Sequence, residues 1–164
     1  MDQLWAPWRM AYIMEAKEGE ESDSCIFCEK PQQQKDEENL IVFRSAECYV
    51  MLNKFPYNNG HLMIIPYIHE ADLPKVSDDI LLDMQRVLNK SIRAVSKTME
   101  PHGMNIGLNL GRTAGAGIVD HLHYHLVPRW NGDTNFMPVI SGTKVISEAL
   151  ADTWSKLRNE FGRL

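Results

Sequence analysis

The chain has 164 residues, of which 44% are hydrophobic and 24% charged, as is typical of one globular domain long enough to bury a core. Its formal net charge of −5 does not favour binding to nucleic acid or to an anionic membrane surface. The first residues lack a basic leader, and no apolar run reaches membrane-spanning length. The three cysteines do not suggest a disulfide framework. We therefore expect a cytoplasmic protein.

The first quarter of the chain differs in composition from the rest. Residues 1–13 are rich in aromatic side chains and are expected to pack on a body or a partner. Residues 15–39 are polar and mostly acidic on both sides of the motif CIFC, a composition typical of loops. We therefore expect residues 1–39 to form an N-terminal arm and residues 40–164 to form the core of a single domain.

Short runs rich in β-branched and aromatic residues predict strands in the first half of the core. These runs are LIVF (40–43), CYVML (48–52) and HLMIIP (61–66). The turn-rich NKFPYNNG separates the last two, which predicts an antiparallel meander. Ser77 then offers an N-cap for a long helix, because an apolar stripe at helical spacing follows it. The stripe consists of Ile80, Met84, Val87, Leu88, Ile92 and Val95.

Two more strands and a closing helix are predicted in the second half. MNIGLNLG (104–111) and HLHYHLV (121–127) are the strand segments, joined by RTAGAGIVD. Strands that are segregated around one long helix predict an α+β fold with an antiparallel sheet. The closing helix is amphipathic, with Leu150, Trp154, Leu157 and Phe161 on its apolar side.

Three of the six histidines, His121, His123 and His125, alternate along the last predicted strand, so their side chains should share a face. One interpretation is an exposed polar face. A second is a metal held by all three rings, but the outer pair would lie about 13 Å apart on a regular strand, which is too far for one zinc ion. A third is nucleophilic attack on phosphorus by a neutral imidazole. The adjacent GRTAGAG favours the third, because glycine N–H groups can approach phosphate oxygens closely.

The motif HLHYHLV resembles the His-x-His-x-His-x-x pattern of the histidine triad (HIT) superfamily of nucleotide hydrolases and transferases. The resemblance extends over VMLNKFPYNNGHLMIIPYIH, the helix after it and NIGLNLG. WAPWR, CIFC and HLVPRWNGDTNFMPV resemble a bacterial branch that includes diadenosine tetraphosphate phosphorylases and is close to the fragile histidine triad group. The resemblance implies a HIT-like fold, a two-fold homodimer and a purine nucleotide or dinucleoside polyphosphate substrate. We expect no organic cofactor.

The resemblance also implies a role for each residue near the triad. His123 would attack the α-phosphorus and form a covalent nucleotidyl-imidazole, His125 would contact the phosphate or the leaving group, and His121 would brace the triad. Four further positions match: His61 joins the cluster, Asn53 binds the ribose, Asn109 lies near the phosphates, and Trp130 lines the pocket or stacks on a base. Each has a plainer alternative, since Asn53 could initiate a turn, a single histidine is usually structural, and Trp130 could be a structural aromatic.

One segment departs from the family pattern. Gly117 and Ile118 stand where many members have a glutamine and a hydroxyl residue that contact phosphate or orient water. We therefore expect inorganic phosphate to open the covalent intermediate better than water, so that diadenosine tetraphosphate gives ATP plus ADP. His125 argues against the uridylyltransferase relatives, which have glutamine there. The alternatives are hydrolysis of an adenosine phosphoramidate or a nucleotide ester, and a nucleotide-binding regulator with incidental turnover.

Cys25 and Cys28 have the C-x-x-C spacing of zinc thiolates, which redox motifs share. The acidic surroundings disfavour a redox role, because they disfavour a low thiolate pKa. Some bacterial triad proteins complete a zinc site with two histidines that match His69 and His121 here. A Cys₂His₂ set would close all four positions and make the zinc structural. We expect Cys48 to be a core residue and His102 an ordinary loop residue.

Overall fold

The computed structural model describes residues 25–133 and 148–164. The aromatic segment predicted at residues 1–13 and the end of the HLVPRWNGDTNFMPV motif lie outside the described residues.

The strands form one antiparallel sheet with the order β1-β2-β3-β5-β4. Successive pairing of β1, β2 and β3 gives the predicted meander, and β5 lies between β3 and β4. The α+β class with an antiparallel sheet is confirmed. The strand bounds are β1 Ile41–Arg44, β2 Cys48–Leu52, β3 Leu62–Pro66, β4 Gly103–Leu108 and β5 Tyr124–Arg129.

Three helices accompany the sheet in the described part of the chain: α1 Ile26–Gln32, α2 Asp78–Met99 and α3 Leu150–Phe161. The long helix begins after Ser77, as predicted, although the Ser77 side chain makes no capping hydrogen bond. Short 3₁₀ turns occur at Leu73–Lys75 and Arg112–Ala114. No helix among the described residues is long and apolar enough to cross a membrane.

The two faces of the sheet have different coverings because strand side chains alternate. Val50, Leu52 and Ile64 lie in the cluster that packs against α2 and α3. The residues that alternate with them along β2 and β3 lie in a second hydrophobic cluster, which contains Phe27 of α1. The members of this second cluster are Phe27, Ile41, Tyr49, Met51, Met63 and Ile65.

Two predictions about local structure were wrong. Residues 26–32 are helical, although the polar composition of 15–39 predicts a loop. Helix α1 forms because Phe27 is buried against the sheet, a tertiary contact that outweighs weak local propensity. The last strand begins at Tyr124 and not at His121, so two of the three triad histidines precede it.

Candidate active site and metal centre

His123 is held immediately before β5 with its ring 5% exposed. Its Nδ1 lies 2.8 Å from the carbonyl oxygen of His121. Since a carbonyl only accepts, Nδ1 carries the proton and Nε2 has the free lone pair. Nε2 has no hydrogen-bond partner among the described residues. This is the tautomer that a nucleophilic histidine requires, and the backbone of His121 fixes it.

His61 and His125 form a second hydrogen-bonded unit beside it. The backbone N–H of Tyr57 donates to Nδ1 of His61 at 3.0 Å, so the proton of neutral His61 is on Nε2. That Nε2 lies 2.9 Å from Nδ1 of His125. His125 therefore accepts at Nδ1 and carries its own proton on Nε2. The His125 and His123 rings meet edge to face with centroids 4.8 Å apart, so a ring with an N–H donor stands next to the ring of His123.

Burial favours the neutral form of His123 and of His125. Burial lowers the pKa of His123, while the His121 carbonyl partly opposes the change. Burial, followed by the charge of His123, lowers the pKa of His125 to about 4. An unprotonated ring with a free Nε2 is the reactive form of a histidine nucleophile, and the lowered pKa of His123 extends the pH range in which that form exists.

Asn53 and Asn109 both lie beside this unit. The Asn53 amide nitrogen is 3.5 Å from Nδ1 of His61, and its side-chain oxygen accepts the N–H of Phe55 at 2.9 Å. Asn53 therefore stabilises the turn that follows it, which is the alternative role considered in the sequence analysis. It also lies next to the histidine cluster. The Asn109 amide nitrogen is 3.4 Å from Nε2 of His125 and 3.3 Å from the Gly115 carbonyl.

The Asn109 contact also brings the glycine-rich segment to the histidines. Gly111 and Gly115 have φ of +80° and +96°, a region that favours glycine. Gly117 is exposed, and Ile118 packs against the second cluster of the core. The segment thus leaves an exposed glycine backbone immediately ahead of the triad, at one of the two positions where the family pattern has phosphate-contacting side chains.

Trp130 is placed differently. It lies beyond the end of β5 and lines a depression together with Asn59, Thr98, Met99, Glu148 and Lys156. None of these is a member of the histidine cluster. Its role at a base stays a prediction.

Cys25, Cys28, His69 and His121 converge in a second cluster, with one ligand atom from each lying within 4.8 Å of all the others. The Sγ atoms of Cys25 and Cys28 are 3.4 and 3.6 Å from Nδ1 of His121, and Cys28 Sγ is 3.4 Å from Nδ1 of His69. A tetrahedral zinc ion with ordinary Zn–S and Zn–N bonds separates its sulfur and nitrogen ligands by about 3.6 Å. These four side chains therefore fit a tetrahedral metal ion.

His121 joins the two clusters through different atoms. Its Nε2 donates to the carbonyl of Pro66 at 2.9 Å, which leaves Nδ1 unprotonated toward the cysteines, as a metal ligand must be. Its main-chain carbonyl meanwhile holds the ring of His123. The His121 backbone thus holds the His123 ring, while the His121 ring faces the two cysteines.

Two aromatic residues at the site have roles that sequence reasoning missed. The Phe27 ring is 1% exposed and meets the rings of His121 and His123 edge to face, at 5.5 and 5.1 Å. The Tyr57 ring stacks on His61 at 4.9 Å. Phe27 lies between the two cysteines, and Tyr57 lies in the turn before His61. Their closeness in sequence to predicted site residues is the signal by which they could have been identified.

Comparison with known proteins identifies the family. The family model described as HIT domain matches residues 34–132. The chain is 42% identical to AP-4-A phosphorylase of Mycobacterium tuberculosis (strain H37Rv) over 168 aligned residues, covering 99% of this chain and 86% of that protein. It is 36% identical to adenosine 5'-monophosphoramidase HNT1 of Candida albicans, covering 86% of this chain and 93% of that protein.

A solved structure supports the same fold. The Zn-bound histidine triad family protein from Mycobacterium smegmatis superposes with a TM-score of 0.69 at 24% identity, covering 85% of this chain and 94% of that one. At this identity the likeness extends to the fold alone.

Proposed function

The chain belongs to the HIT domain family, and we propose that it cleaves diadenosine tetraphosphate by way of a nucleotide carried on His123. The observation that carries the proposal is the buried His123 ring, with Nδ1 on the His121 carbonyl and Nε2 free among the described residues. The 42% identity to an AP-4-A phosphorylase supports the substrate class.

In the first step the lone pair of His123 Nε2 forms a bond to the α-phosphorus. The bond from that phosphorus to the bridging oxygen breaks, and ATP leaves with the electron pair. The departing oxygen leaves as an anionic phosphate oxygen of ATP; His125 Nε2–H is placed to donate a hydrogen bond to it, and His61 Nε2–H orients the His125 ring through the 2.9 Å contact. Positive charge builds up on the His123 ring, and the His121 carbonyl stabilises it through Nδ1–H.

In the second step an oxygen of inorganic phosphate attacks the same phosphorus. The phosphorus–nitrogen bond breaks, its electron pair returns to Nε2, and ADP is released. Diadenosine tetraphosphate and phosphate thus become ATP and ADP. Gly117 has no side chain to position a water molecule and leaves room for a larger anion, which is why we favour phosphate over water as the acceptor.

The covalent step is tested by trapping. Mixing the enzyme with substrate labelled in the α-phosphate, without phosphate, should give an acid-labile adduct on the wild type and none on His123→Ala. Tight binding with no adduct in either protein would support the regulator hypothesis. Product analysis with and without phosphate then separates the two acceptors: formation of AMP at the same rate in both conditions would contradict phosphorolysis.

A second candidate is hydrolysis of adenosine 5'-phosphoramidate. It is favoured by the 36% identity to the Candida albicans phosphoramidase, which covers most of both chains. The same nucleophile would serve, with ammonia as the leaving group. A kcat/KM for the phosphoramidate well above that for diadenosine tetraphosphate would make it the preferred assignment.

We also propose that the cluster of two cysteines and two histidines holds a structural Zn²⁺. Two thiolates and two imidazoles are the donor set of closed tetrahedral zinc sites, and the measured ligand separations fit one. The ion would be held by Cys25, Cys28, His69 and His121 and would fix α1 to the segment that precedes β5. Metal analysis after dialysis tests the site, and a metal-free folded protein in which Cys25 and Cys28 both react with a thiol reagent would contradict it.

We also propose a two-fold homodimer. Strand β4 is an edge strand that pairs with β5 on one side, and Ile106 on it is 45% exposed. Natural proteins seldom leave such an edge uncovered, because it can pair with another chain. Analytical ultracentrifugation of the wild type and of Ile106→Lys tests the interface, and a monomeric wild type would contradict it.

The domain prediction is proposed unchanged: residues 1–164 form one HIT domain, with residues 1–39 as its arm. The cytoplasmic location indicated by the cysteine count stays a prediction.

A further inference from the structure

Two aromatic side chains in the turn between β2 and β3 are partly exposed. Phe55 is 45% exposed and Tyr57 is 44% exposed. Large aromatic residues are normally buried because they remove much apolar surface from water. Phe55 and Tyr57 are two positions apart in a turn that borders the histidine cluster, and each therefore offers exposed ring area on which a flat ligand can stack.

Tyr57 is joined to the leaving-group side of the cluster. Its ring stacks on His61 and lies 5.8 Å from the ring of His125. Its backbone N–H bonds His61 Nδ1 at 3.0 Å. His125 is the hydrogen-bond donor to the departing oxygen in the proposed reaction, so Tyr57 stands beside the part of the substrate that leaves.

The turn is held in place and carries positive charge. The Asn53 side chain accepts the N–H of Phe55 at 2.9 Å, and Pro56 restricts the backbone next to it. The ammonium group of Lys54 lies 5.7 Å from the centroid of the Phe55 ring. Lys30 of α1 is near enough to Lys54 that the charge of Lys54, after burial, lowers the pKa of Lys30. Aromatic rings with a nearby ammonium suit a ligand that has both a base and phosphates.

We propose that Phe55 and Tyr57 form a stacking surface for the second purine base of a dinucleoside polyphosphate, the base that departs with the leaving nucleotide. This inference rests on the proposed function and adds a specificity determinant to it. A mononucleotide substrate has no group to cover these rings. The surface would thus favour dinucleoside polyphosphates over substrates with a small leaving group, a preference that the histidines alone do not provide.

Two matched substrates test the surface. Diadenosine tetraphosphate and adenosine 5'-tetraphosphate share the reacting phosphate and differ in the second adenosine. Stacking of one base on an aromatic side chain corresponds to about five- to a hundred-fold in affinity. We expect Tyr57→Ala and Phe55→Ala to lower the ratio of kcat/KM for the first substrate over the second by at least about five-fold. Tyr57→Phe keeps the ring and should keep the ratio within about two-fold of the wild type.

Leu82→Ala is the matched control, because Leu82 is 49% exposed on α2 and should leave the ratio unchanged. An unchanged ratio in both alanine variants, whether or not they lose activity on both substrates equally, would overturn the proposal. Calorimetry with His123→Asn, with and without Tyr57→Ala, gives the same comparison as dissociation constants. A wild type that cleaves neither substrate would contradict the proposed function instead, while the binding ratio still decides the stacking.

Discussion

Replacing His125 with asparagine should reduce the sensitivity of the fold to acid. Burial lowers the pKa of His125 from 6.5 to about 4. Below pH 6.5 the unfolded chain therefore binds a proton at this residue that the folded chain does not bind until about pH 4. Above pH 6.5 His125 is neutral in both states and costs no stability. The free energy of unfolding falls as the pH falls from 6.5 to about 4. The difference between a pKa of 6.5 in the unfolded chain and about 4 in the folded chain corresponds to about 3 kcal/mol in total, of which about 2 kcal/mol is lost by pH 5.

Urea unfolding at pH 7 and at pH 5 measures this loss. Asparagine can still accept the N–H of His61, so the contact at 2.9 Å need not be lost. The wild type should lose about 2 kcal/mol more between the two pH values than His125→Asn does. Any release of metal at pH 5 affects both proteins and cancels in the comparison. His102→Asn, at an exposed loop histidine, is the control and should behave as the wild type. Equal losses in wild type and His125→Asn would refute the reasoning.

Three further changes test the metal cluster, the packing of α1 on the sheet and the backbone of the turn before β3. Cys28→Ser should abolish stoichiometric zinc binding and lower Tm, because one of four ligands is lost; retention of zinc in atomic absorption would contradict the ligand set. Phe27→Leu should cost about 1 kcal/mol in urea unfolding and Phe27→Ala about 3 to 5, and equal small losses would argue that the ring is not packed. Gly60→Ala should destabilise by at least about 1 kcal/mol, because φ is +71° and a Cβ would meet the sulfur of Met99. Gly103→Ala, with nothing within 4 Å, should unfold as the wild type does.

The sequence predicts the fold well where a pattern repeats. Alternating and apolar runs locate the meander, and the stripe behind Ser77 locates the long helix, because burial on one face imposes a period on the chain. Helix α1 has no such period: it has seven residues, includes Pro31 and is flanked by polar residues. Its formation depends on Phe27 reaching the sheet, and no local pattern reports a contact of that kind.

The candidate site was predictable to the level of residues but not of atoms. The resemblance to the histidine triad superfamily predicts that His61, His123 and His125 share one site, and it implies the four metal ligands that the structure places together. It does not predict that the tautomer of His123 is set by a carbonyl or that Tyr57 lies on His61, because backbone orientation and ring stacking follow from tertiary packing.

The irregular start of β5 explains how one short motif can serve two centres. On a continuous strand the three rings would project in parallel, about 6.6 Å apart. Because the strand begins at Tyr124, the chain before it is free to turn the His121 ring toward the cysteines while its carbonyl faces His123 Nδ1. A metal that fixes the His121 ring thereby fixes the next peptide group and the tautomer of the nucleophile. Loss of the metal should then lower the rate of adduct formation on His123 more than it raises KM, because the substrate contacts lie elsewhere.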